Sequence, residues 1–316
     1  MATQKDIARE AGVSNSLVSY YLTGSKSARM SDETRKRIDA AIRKLNYRPN
    51  QLARSLRTGR SKSIGMLIGN ISDSYFGHLA EEVLDAARKH DYSLILAMTK
   101  NEPQERANAL EFLMRNQIDG LLTCLSVSIL PGAKELQKRG IPVLRFGYPE
   151  PHAISLLDDV ETALEEACLY FRGRGHRRVF CFFDTPLPWN TQLDNIEKKV
   201  GIKLIHRTFG TTEETEELLH CIETDRPEAI LMNGRILYPL LERIDALPHY
   251  DPEIVAGVDE FRLRCESRLI VGGIQTNTTL KAQQGIEMLI NCLDHPELSR
   301  EGSLMLPPAK FIRYRD

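Results

Sequence analysis

Residues 3–23 of the chain read TQKDIAREAGVSNSLVSYYLT, and this stretch decides the first part of the fold. Thr3 can cap a helix, and Asp6, three residues on, can complete a capping box. Apolar residues then recur at helical spacing until Gly12, which can adopt the positive φ that ends a helix. Ser14 can cap a second helix. The stretch therefore predicts two short helices joined by a turn.

A third helical pattern follows the polar loop at residues 24–29. Ser31 can cap it, and apolar residues recur at helical spacing up to Leu45. Two short helices joined by a glycine-containing turn, with a third helix that completes the core, are typical of a helix-turn-helix domain. We expect the small Ala8 to let the first two helices approach, and Val18 to pack inside.

On this plan the second helix lies in the major groove of DNA. Asparagine can pair bidentately with adenine, whereas serine reads bases less specifically. Any one such residue alone is more often an ordinary surface residue, so the prediction rests on their joint occurrence with the caps and the turn. The candidate base-reading residues are Asn15, Ser16, Ser19 and Tyr20.

The charge of the chain is distributed unevenly, although the net charge of all 316 residues is −1. Residues 1–62 carry +9 and the remainder carries −10. A basic head on an acidic body indicates that the head contacts a polyanion and the body does not. A solvated basic tail is the alternative, but disordered tails lack periodic apolar residues.

The composition, 42% hydrophobic and 27% charged, is that of a globular protein with two or three domains. No apolar run approaches the ~20 residues of a membrane helix, and the polar N-terminus lacks the pattern of a signal peptide. We therefore expect a cytoplasmic protein without a membrane partner.

No pattern in the sequence predicts catalysis, a cofactor or a metal site. The six cysteines form no CxxC pair, and phosphate-loop, zinc-hydrolase and nucleophile-elbow motifs are missing from the sequence. Asp158 and Asp159 could be mistaken for metal ligands, but we expect them at a helix N-terminus, where acidic residues suit the dipole. The sequence therefore predicts a protein that is not an enzyme.

The body, from Ser63 onward, alternates short apolar runs with amphipathic stretches, which predicts parallel sheets with helices on both faces. The pattern restarts after Asp158 with a helix to about Arg174, so two lobes are expected. Other helices are expected to begin near Tyr75, Pro103 and Gly132. The predicted strands are Ile64–Ile68, Ser93–Met98, Gly120–Thr123, Val143–Phe146, Val179–Phe183, Lys203–His206, Ala229–Met232 and Ile254–Gly257.

In open α/β sheets, ligands bind beyond the carboxyl ends of the strands, so the cleft between the lobes is the expected ligand site. Aromatic, amide and carboxylate residues follow several strands and suit a sugar or another polar small molecule. Loop capping or core packing is an equally good reading of each one, and Trp189, in a polar loop, is the best single candidate. The candidates are Asp73, Tyr75, Phe76, Trp189, Asn190, Thr191, Asn195, Asn233, Arg235, Asp259 and Gln275.

Several blocks of the sequence closely resemble the lactose-repressor (LacI/GalR) family of bacterial transcription regulators. In the head and hinge they are DIAREAGVS at residues 6–14, LNYRPN at 45–50, LARSL at 52–56 and SIG at 63–65. In the body they include YSLIL at residues 92–96, IDGLL at 118–122, GIPV at 140–143 and GHRRV at 175–179.

The resemblance implies an N-terminal all-α helix-turn-helix domain followed by an α/β two-lobed periplasmic-binding-protein-like domain with parallel sheets and Rossmann-like lobes. Residues 1–49 would be the headpiece, 50–62 the hinge and 63–316 the effector-binding and dimerisation domain. Within that domain, 63–153 and 275–301 would form the first lobe, and 154–274 and 302–316 the second.

The hinge would be loose when free and helical on operator DNA, with Leu56 as an apolar wedge in the minor groove. A core leucine of a linker is the alternative for Leu56, but the basic residues around it favour contact with phosphates. The predicted DNA-binding residues are Thr3, Asn15, Ser16, Ser19, Tyr20, Asn50, Ala53, Arg54, Leu56 and Arg57.

The implied function is a homodimeric repressor of carbohydrate-related genes that binds double-stranded operator DNA and a small-molecule effector. Candidate dimer faces lie near Tyr75–His90 and Leu280–Leu293. The body departs from the family at Asn233-Gly234, where Asn-Asp is common, and by the lack of an arginine near Asn195. The effector is therefore expected not to be a standard hexose, or the pocket has drifted. Alternatives are a solute-binding protein without DNA function and a regulator with a degenerate pocket under the control of a protein partner.

Overall fold

The computed structural model divides into two compact units, Met1–Ser61 and Lys62–Asp316, which we call the head and the body. The residues that the structure describes are 2–23, 30–47, 59–71, 74–100, 102–147, 149–183, 189–208, 212–232, 236–257, 267–296 and 301–314.

The head contains three helices, α1 (Gln4–Ala11), α2 (Asn15–Thr23) and α3 (Asp32–Lys44). Each helix begins next to the cap residue that the sequence predicts. The side-chain oxygen of that residue accepts a hydrogen bond from a backbone N–H that has no partner within the helix. Gly12 ends α1 with φ of 62°, in the left-handed region that glycine adopts without strain. The predicted helical head is therefore confirmed.

The head core is small and is built where the three helices meet, since both α2 and α3 pack against α1. Ala8 is buried, and its small side chain suits a close approach of helices. Val18 and Ile38 are fully buried, as the apolar pattern predicts. The buried residues of this core are Ile7, Ala8, Ala11, Val18, Ile38 and Ala41.

The described part of the body contains eight further helices and twelve strands. The helices are α4 (Ser74–Lys89), α5 (Pro103–Arg115), α6 (Ala133–Lys138), α7 (Glu161–Gly173), α8 (Trp189–Val200), α9 (Thr212–Asp225), α10 (Leu237–Asp245) and α11 (Thr278–Asp294). The strands are β1 (Ser63–Ile68), β2 (Ser93–Met98), β3 (Gly120–Thr123), β4 (Val143–Phe146), β5 (Ile154–Asp159), β6 (Arg178–Phe183), β7 (Lys203–Thr208), β8 (Ala229–Met232), β9 (Glu253–Ala256), β10 (Ile270–Gln275), β11 (Gly302–Pro308) and β12 (Lys310–Arg313).

The strands form two six-stranded sheets, one for each lobe. The first sheet has the order β11-β5-β4-β3-β1-β2, and all its neighbours pair in parallel. The second has the order β12-β10-β9-β8-β6-β7, in which only β12 pairs antiparallel. The predicted two-lobed α/β fold is thus confirmed, and the strand boundaries agree closely with the apolar runs.

The pairing corrects two of the predicted lobe boundaries. Strands β5 and β11 belong to the first sheet, so the chain leaves that sheet after Asp159 and again after Pro308, rather than at residues 154 and 302. The reason is burial: Ile154 and Leu306 pack into the first-lobe core, whereas the second-lobe core begins at Val160. The predicted crossing near residue 275 agrees with the end of β10.

The predicted helix N-terminus at Asp158 and Asp159 is also wrong. These residues end β5, and α7 begins two residues later, at Glu161. Asp158 is instead paired with Lys281 of α11, a partner more than a hundred residues away in sequence. Its charge is therefore compensated by a lysine rather than by a helix dipole.

Apolar cores lie on both faces of each sheet, as the alternation of strands and helices requires. In the first lobe, α4 and α11 pack side by side over one face. Gly285 permits the close approach of α11, since a Cβ there would lie 2.8 Å from the ring of Phe146 on β4. No helix in the described part of the chain is long and apolar enough to span a bilayer.

Candidate functional site

The first candidate site is the outer face of α2 in the head. Asn15, Ser16 and Tyr20 are exposed and Ser19 is half-buried. Residues at these spacings lie on one face of a helix, opposite the buried Val18. Tyr20 is 48% exposed, which is unusual for a large aromatic residue and suits a contact with a partner. The structure therefore brings all four predicted base readers to one surface.

Helix α2 is fixed to α3 by a side-chain hydrogen bond. The Tyr21 hydroxyl donates a hydrogen bond to Asp39 of α3, with 2.5 Å between the oxygens. This bond, together with burial, raises the pKa of Tyr21. Lys44 and Glu10 add an ion pair of 2.6 Å between α3 and α1. The hydrogen bond of Tyr21 to Asp39 was not predicted, although Tyr21 stands next to the apolar Leu22 in the sequence.

Thr3, predicted to bind DNA, is the N-cap of α1. Its hydroxyl oxygen accepts a hydrogen bond from the Asp6 amide, and the Asp6 carboxylate accepts one from the Thr3 amide at 2.9 Å. The Thr3 hydroxyl also donates a hydrogen bond to the Asp6 carboxylate, with 2.8 Å between the oxygens. This bond, followed by the one from the Thr3 amide, lowers the pKa of Asp6. Thr3 is exposed, so the cap leaves its outer side accessible. The remaining predicted DNA contacts lie outside the described residues: Asn50, Ala53, Arg54, Leu56 and Arg57.

The second candidate site lies at the carboxyl edge of the first sheet. Tyr75 and Phe76, in the first turn of α4 after β1, are half-buried, with their ring centroids 5.3 Å apart. Tyr75 contacts Lys281 of α11, whose Nζ also reaches Asp158 of β5. This cluster of Tyr75, Asp158 and Lys281 is the best-defined polar constellation at that edge. This cluster was not predicted, although Lys281 stands among the apolar residues of one helical face.

The structure describes fewer of the predicted ligand-binding side chains in the second lobe. Helix α8 begins at Trp189, so Trp189 starts a helix rather than lying in a polar loop. Asn195 is exposed on the same helix, and Gln275 is exposed at the end of β10. The side chains of Trp189, Asn190 and Thr191 lie outside the described part, as do all of Asp73, Asn233, Arg235 and Asp259.

The cysteines and acidic residues of the described part form no metal site. No cluster of three or more histidine, cysteine, aspartate or glutamate side chains occurs among those residues. Cys168 and Cys181 are buried free thiols, and burial raises the pKa of Cys168 to about 12. Such thiols are unreactive structural residues. Cys265 lies outside the described residues.

Comparison with known proteins identifies both units. A family model described as bacterial regulatory proteins of the lacI family matches residues 3–50. A second, described as periplasmic binding proteins and sugar binding domain of the LacI family, matches residues 61–234, more than half of the chain.

Relatives of this chain include named repressors. The HTH-type transcriptional repressor PurR of Actinobacillus pleuropneumoniae serotype 5b (strain L20) is 35% identical over 181 residues, 57% of this chain and 53% of that protein. The ribose operon repressor of Escherichia coli (strain K12) is 33% identical over 184 residues, 57% of this chain and 55% of that protein. The chain thus matches about half the length of these relatives.

Solved structures share the fold over the whole chain. A Lac repressor bound to ONPG in the repressed state superimposes with a TM-score of 0.75 at 17% identity, covering 100% of this chain and 99% of that one. A complex of the transcriptional regulator CelR with cellobiose gives 0.63 at 18% identity, covering 100% of both chains. The matched head and body together show that the chain belongs to the LacI family.

Proposed function

We propose that the chain is a sequence-specific DNA-binding transcriptional regulator that represses carbohydrate-related genes. A small, sugar-like molecule bound between the two lobes modulates its affinity for the operator. It acts in the cytoplasm, as a homodimer, through binding rather than catalysis. The observation that carries the proposal is the outer face of α2, where Asn15, Ser16 and Tyr20 stand exposed on a rigid support.

The charge of the head supports contact with DNA. The segment 1–62 carries +9, and exposed basic residues occur on α1 and α3, among them Lys5, Arg35 and Lys36. Such charge neutralises phosphates and releases counterions, whereas the exposed face of α2 supplies base contacts. A solute-binding protein needs neither feature, and the family match to residues 3–50 also disfavours that alternative.

The packing of the first lobe supports a dimer. Helices α4 and α11 contain the two predicted dimer faces, and they pack against each other. They therefore offer one continuous surface rather than two separate ones. A two-fold dimer would place two heads on the halves of a near-palindromic operator. Analytical ultracentrifugation of the full chain tests the oligomeric state directly.

The function is tested by retention of genomic DNA fragments on the purified full chain, at low and at rising salt. We expect selective retention of a few fragments that share a near-palindromic sequence. Their affinity should fall with a log–log slope of about −0.9 per neutralised phosphate. The proposal would be contradicted if all fragments were retained equally, or if no fragment were retained at low salt.

A further inference from the structure

Lys281 lies on the face of α11 where buried, mostly apolar residues recur at helical spacing. It is fully buried, on the same helix face as the buried Ala282, Ile286 and Leu289. Transfer of an ammonium group from water into a protein interior costs several kcal/mol, unless partners compensate. The buried charge of Lys281 must therefore be compensated by neighbouring groups.

The partners of Lys281 come from two other elements. Its Nζ donates hydrogen bonds to Tyr75 Oη at 2.9 Å and to Asp158 Oδ2 at 2.5 Å. Nζ also lies 5.1 Å from the centre of the Tyr75 ring, within range of a cation–π contact. Burial opposes the charged form, but Tyr75 and Asp158 together raise the pKa of Lys281 above its usual value. Lys281 is therefore a charged, fixed group at neutral pH.

The cluster lies at the ligand-binding edge of the first lobe. Tyr75 follows the carboxyl end of β1 through the first turn of α4, and Asp158 is the penultimate residue of β5. Ligands of open α/β sheets bind at the carboxyl ends of the strands. Tyr75 and Phe76 supply aromatic surface beside it, which suits the apolar face of a ring ligand.

One oxygen of this cluster has no hydrogen-bond donor among the residues that the structure describes. Asp158 Oδ1 is buried and accepts no hydrogen bond from the part of the chain that the structure describes. A buried acceptor without a hydrogen-bond donor destabilises the fold, and more so when the group is charged. Lys281 engages Oδ2 and holds the carboxylate in place, so Oδ1 is presented in a fixed orientation.

We propose that Asp158 Oδ1 is the first-lobe acceptor for the effector, with Lys281 as its positioning residue, and that the effector is an uncharged donor of hydrogen bonds. A sugar hydroxyl and a nucleobase N–H both have this chemistry. The inference rests on the proposed function, in which the cleft between the lobes binds a small molecule.

The same geometry disfavours a phosphorylated effector at this point. Lys281 is fully buried, it donates two of its three ammonium hydrogens to Asp158 and Tyr75, and its charge is compensated by Asp158, so little of it is left for a phosphate. The free group is a carboxylate oxygen, which repels an anion and offers no hydrogen to it. Phosphate recognition instead uses arginine or lysine donors and free backbone N–H groups.

Isothermal titration calorimetry of the full chain against matched pairs tests the proposal. The neutral members are ribose, glucose, fructose, sorbitol, inosine and guanosine, of which the last two present the nucleobase N–H. Their phosphorylated counterparts are ribose 5-phosphate, glucose 6-phosphate, fructose 1-phosphate, sorbitol 6-phosphate, inosine monophosphate and guanosine monophosphate. We expect at least one neutral member to bind, and to bind at least tenfold more tightly than its phosphorylated counterpart. Whether that member is a sugar or carries a nucleobase then identifies the class of the effector.

The double variant Lys281→Met with Asp158→Leu tests the residues themselves. Apolar residues of similar size preserve folding when they replace a buried ion pair as a unit. We expect a thermal midpoint close to that of the wild type, but at least tenfold weaker binding of the neutral ligand. The neutral-over-phosphate preference should fall as well, which a purely structural ion pair would not affect.

The matched control is the exposed pair Lys199–Glu165, whose atoms are 2.6 Å apart. Replacement by Lys199→Met with Glu165→Leu should leave ligand binding unchanged. Tighter binding of any phosphorylated member would overturn the inference, and so would full affinity in the Lys281–Asp158 double variant. A wild-type chain that retains DNA but binds no neutral member also overturns it. Loss of DNA retention by the wild type would instead refute the proposed function.

Discussion

In the head, the candidate DNA-reading side chains lie on one helix, α2, and are mostly exposed; in the body, the candidate ligand-binding side chains come from α4, β5 and α11 and are half-buried or buried. Tyr75 and Lys281 of the body are separated by 206 positions, whereas the caps of the head join residues three apart. The DNA surface is therefore assembled locally, and the ligand site needs the complete first lobe. Substitutions in the two regions should differ accordingly.

The largest effect is expected for Lys281→Met alone, which leaves the half-buried Asp158 without its counter-ion. Removal of one partner of a buried pair costs about 3–5 kcal/mol. The free energy of unfolding of the body, from urea titration of the full chain, should fall by that amount. The added Asp158→Leu substitution should restore most of it. A single variant as stable as the wild type would show that the pair is not buried in solution.

Next in size is Ile38→Ala, which removes a fully buried side chain from α3. The expected cost is about 2–5 kcal/mol, and the core of the head is too small to absorb it. Specific DNA binding should be lost in gel-shift assays, while the calorimetric unfolding of the body stays unchanged. Ala40→Ser, at an exposed position of α3, is the control. Simultaneous destabilisation of the body would contradict two separate units.

A smaller and more selective effect is expected for Asn15→Ala on the exposed face of α2. Loss of a bidentate base contact costs about 1–3 kcal/mol for the preferred base. Selection from a random DNA library should therefore yield a motif relaxed at one position of each half-site. The Ala40→Ser control should yield the wild-type motif. An unaltered motif for Asn15→Ala would exclude this side chain from base reading.

The smallest effect is expected for Thr3→Ala, which removes the cap of α1 at a cost of about 1 kcal/mol. The lowered pKa of Asp6 makes this effect depend on pH. The stabilisation by Asp6 is fully present above its unfolded value of about 4, and is lost as the pH falls through its lower folded value. Amide hydrogen exchange of α1 should differ most between variant and wild type above pH 4. A constant difference down to pH 2 would contradict the capping box.

The sequence predicted the head almost completely, because its determinants are local. Thr3, Ser14 and Ser31 each bind a backbone N–H three residues on, and such spacing can be recognised in a string of letters. The apolar runs of the inner strands could be recognised for the same reason. Strand β3 was predicted with its observed limits, Gly120–Thr123.

The sheet that a strand joins, and the partner of a buried charge, could not be predicted in this way. Residues 154–159 were not recognised as a strand, and their neighbour β11 begins at residue 302. Asp158 appeared to be a helix-terminal acid because its lysine partner is 123 positions away. Such pairings depend on three-dimensional closure of the lobe, which no spacing along the chain encodes.

The bond between Lys281 and Asp158 also joins two places where the polypeptide passes between lobes. Asp158 stands just before the passage into α7, and Lys281 just after the return from β10. A ligand that displaces Asp158 must either displace α11 as well or break the bond between Lys281 and Asp158. Occupancy of the cleft would thereby reach the surface that α11 shares with α4, and a signal could travel from small molecule to subunit contact through a single pair of side chains.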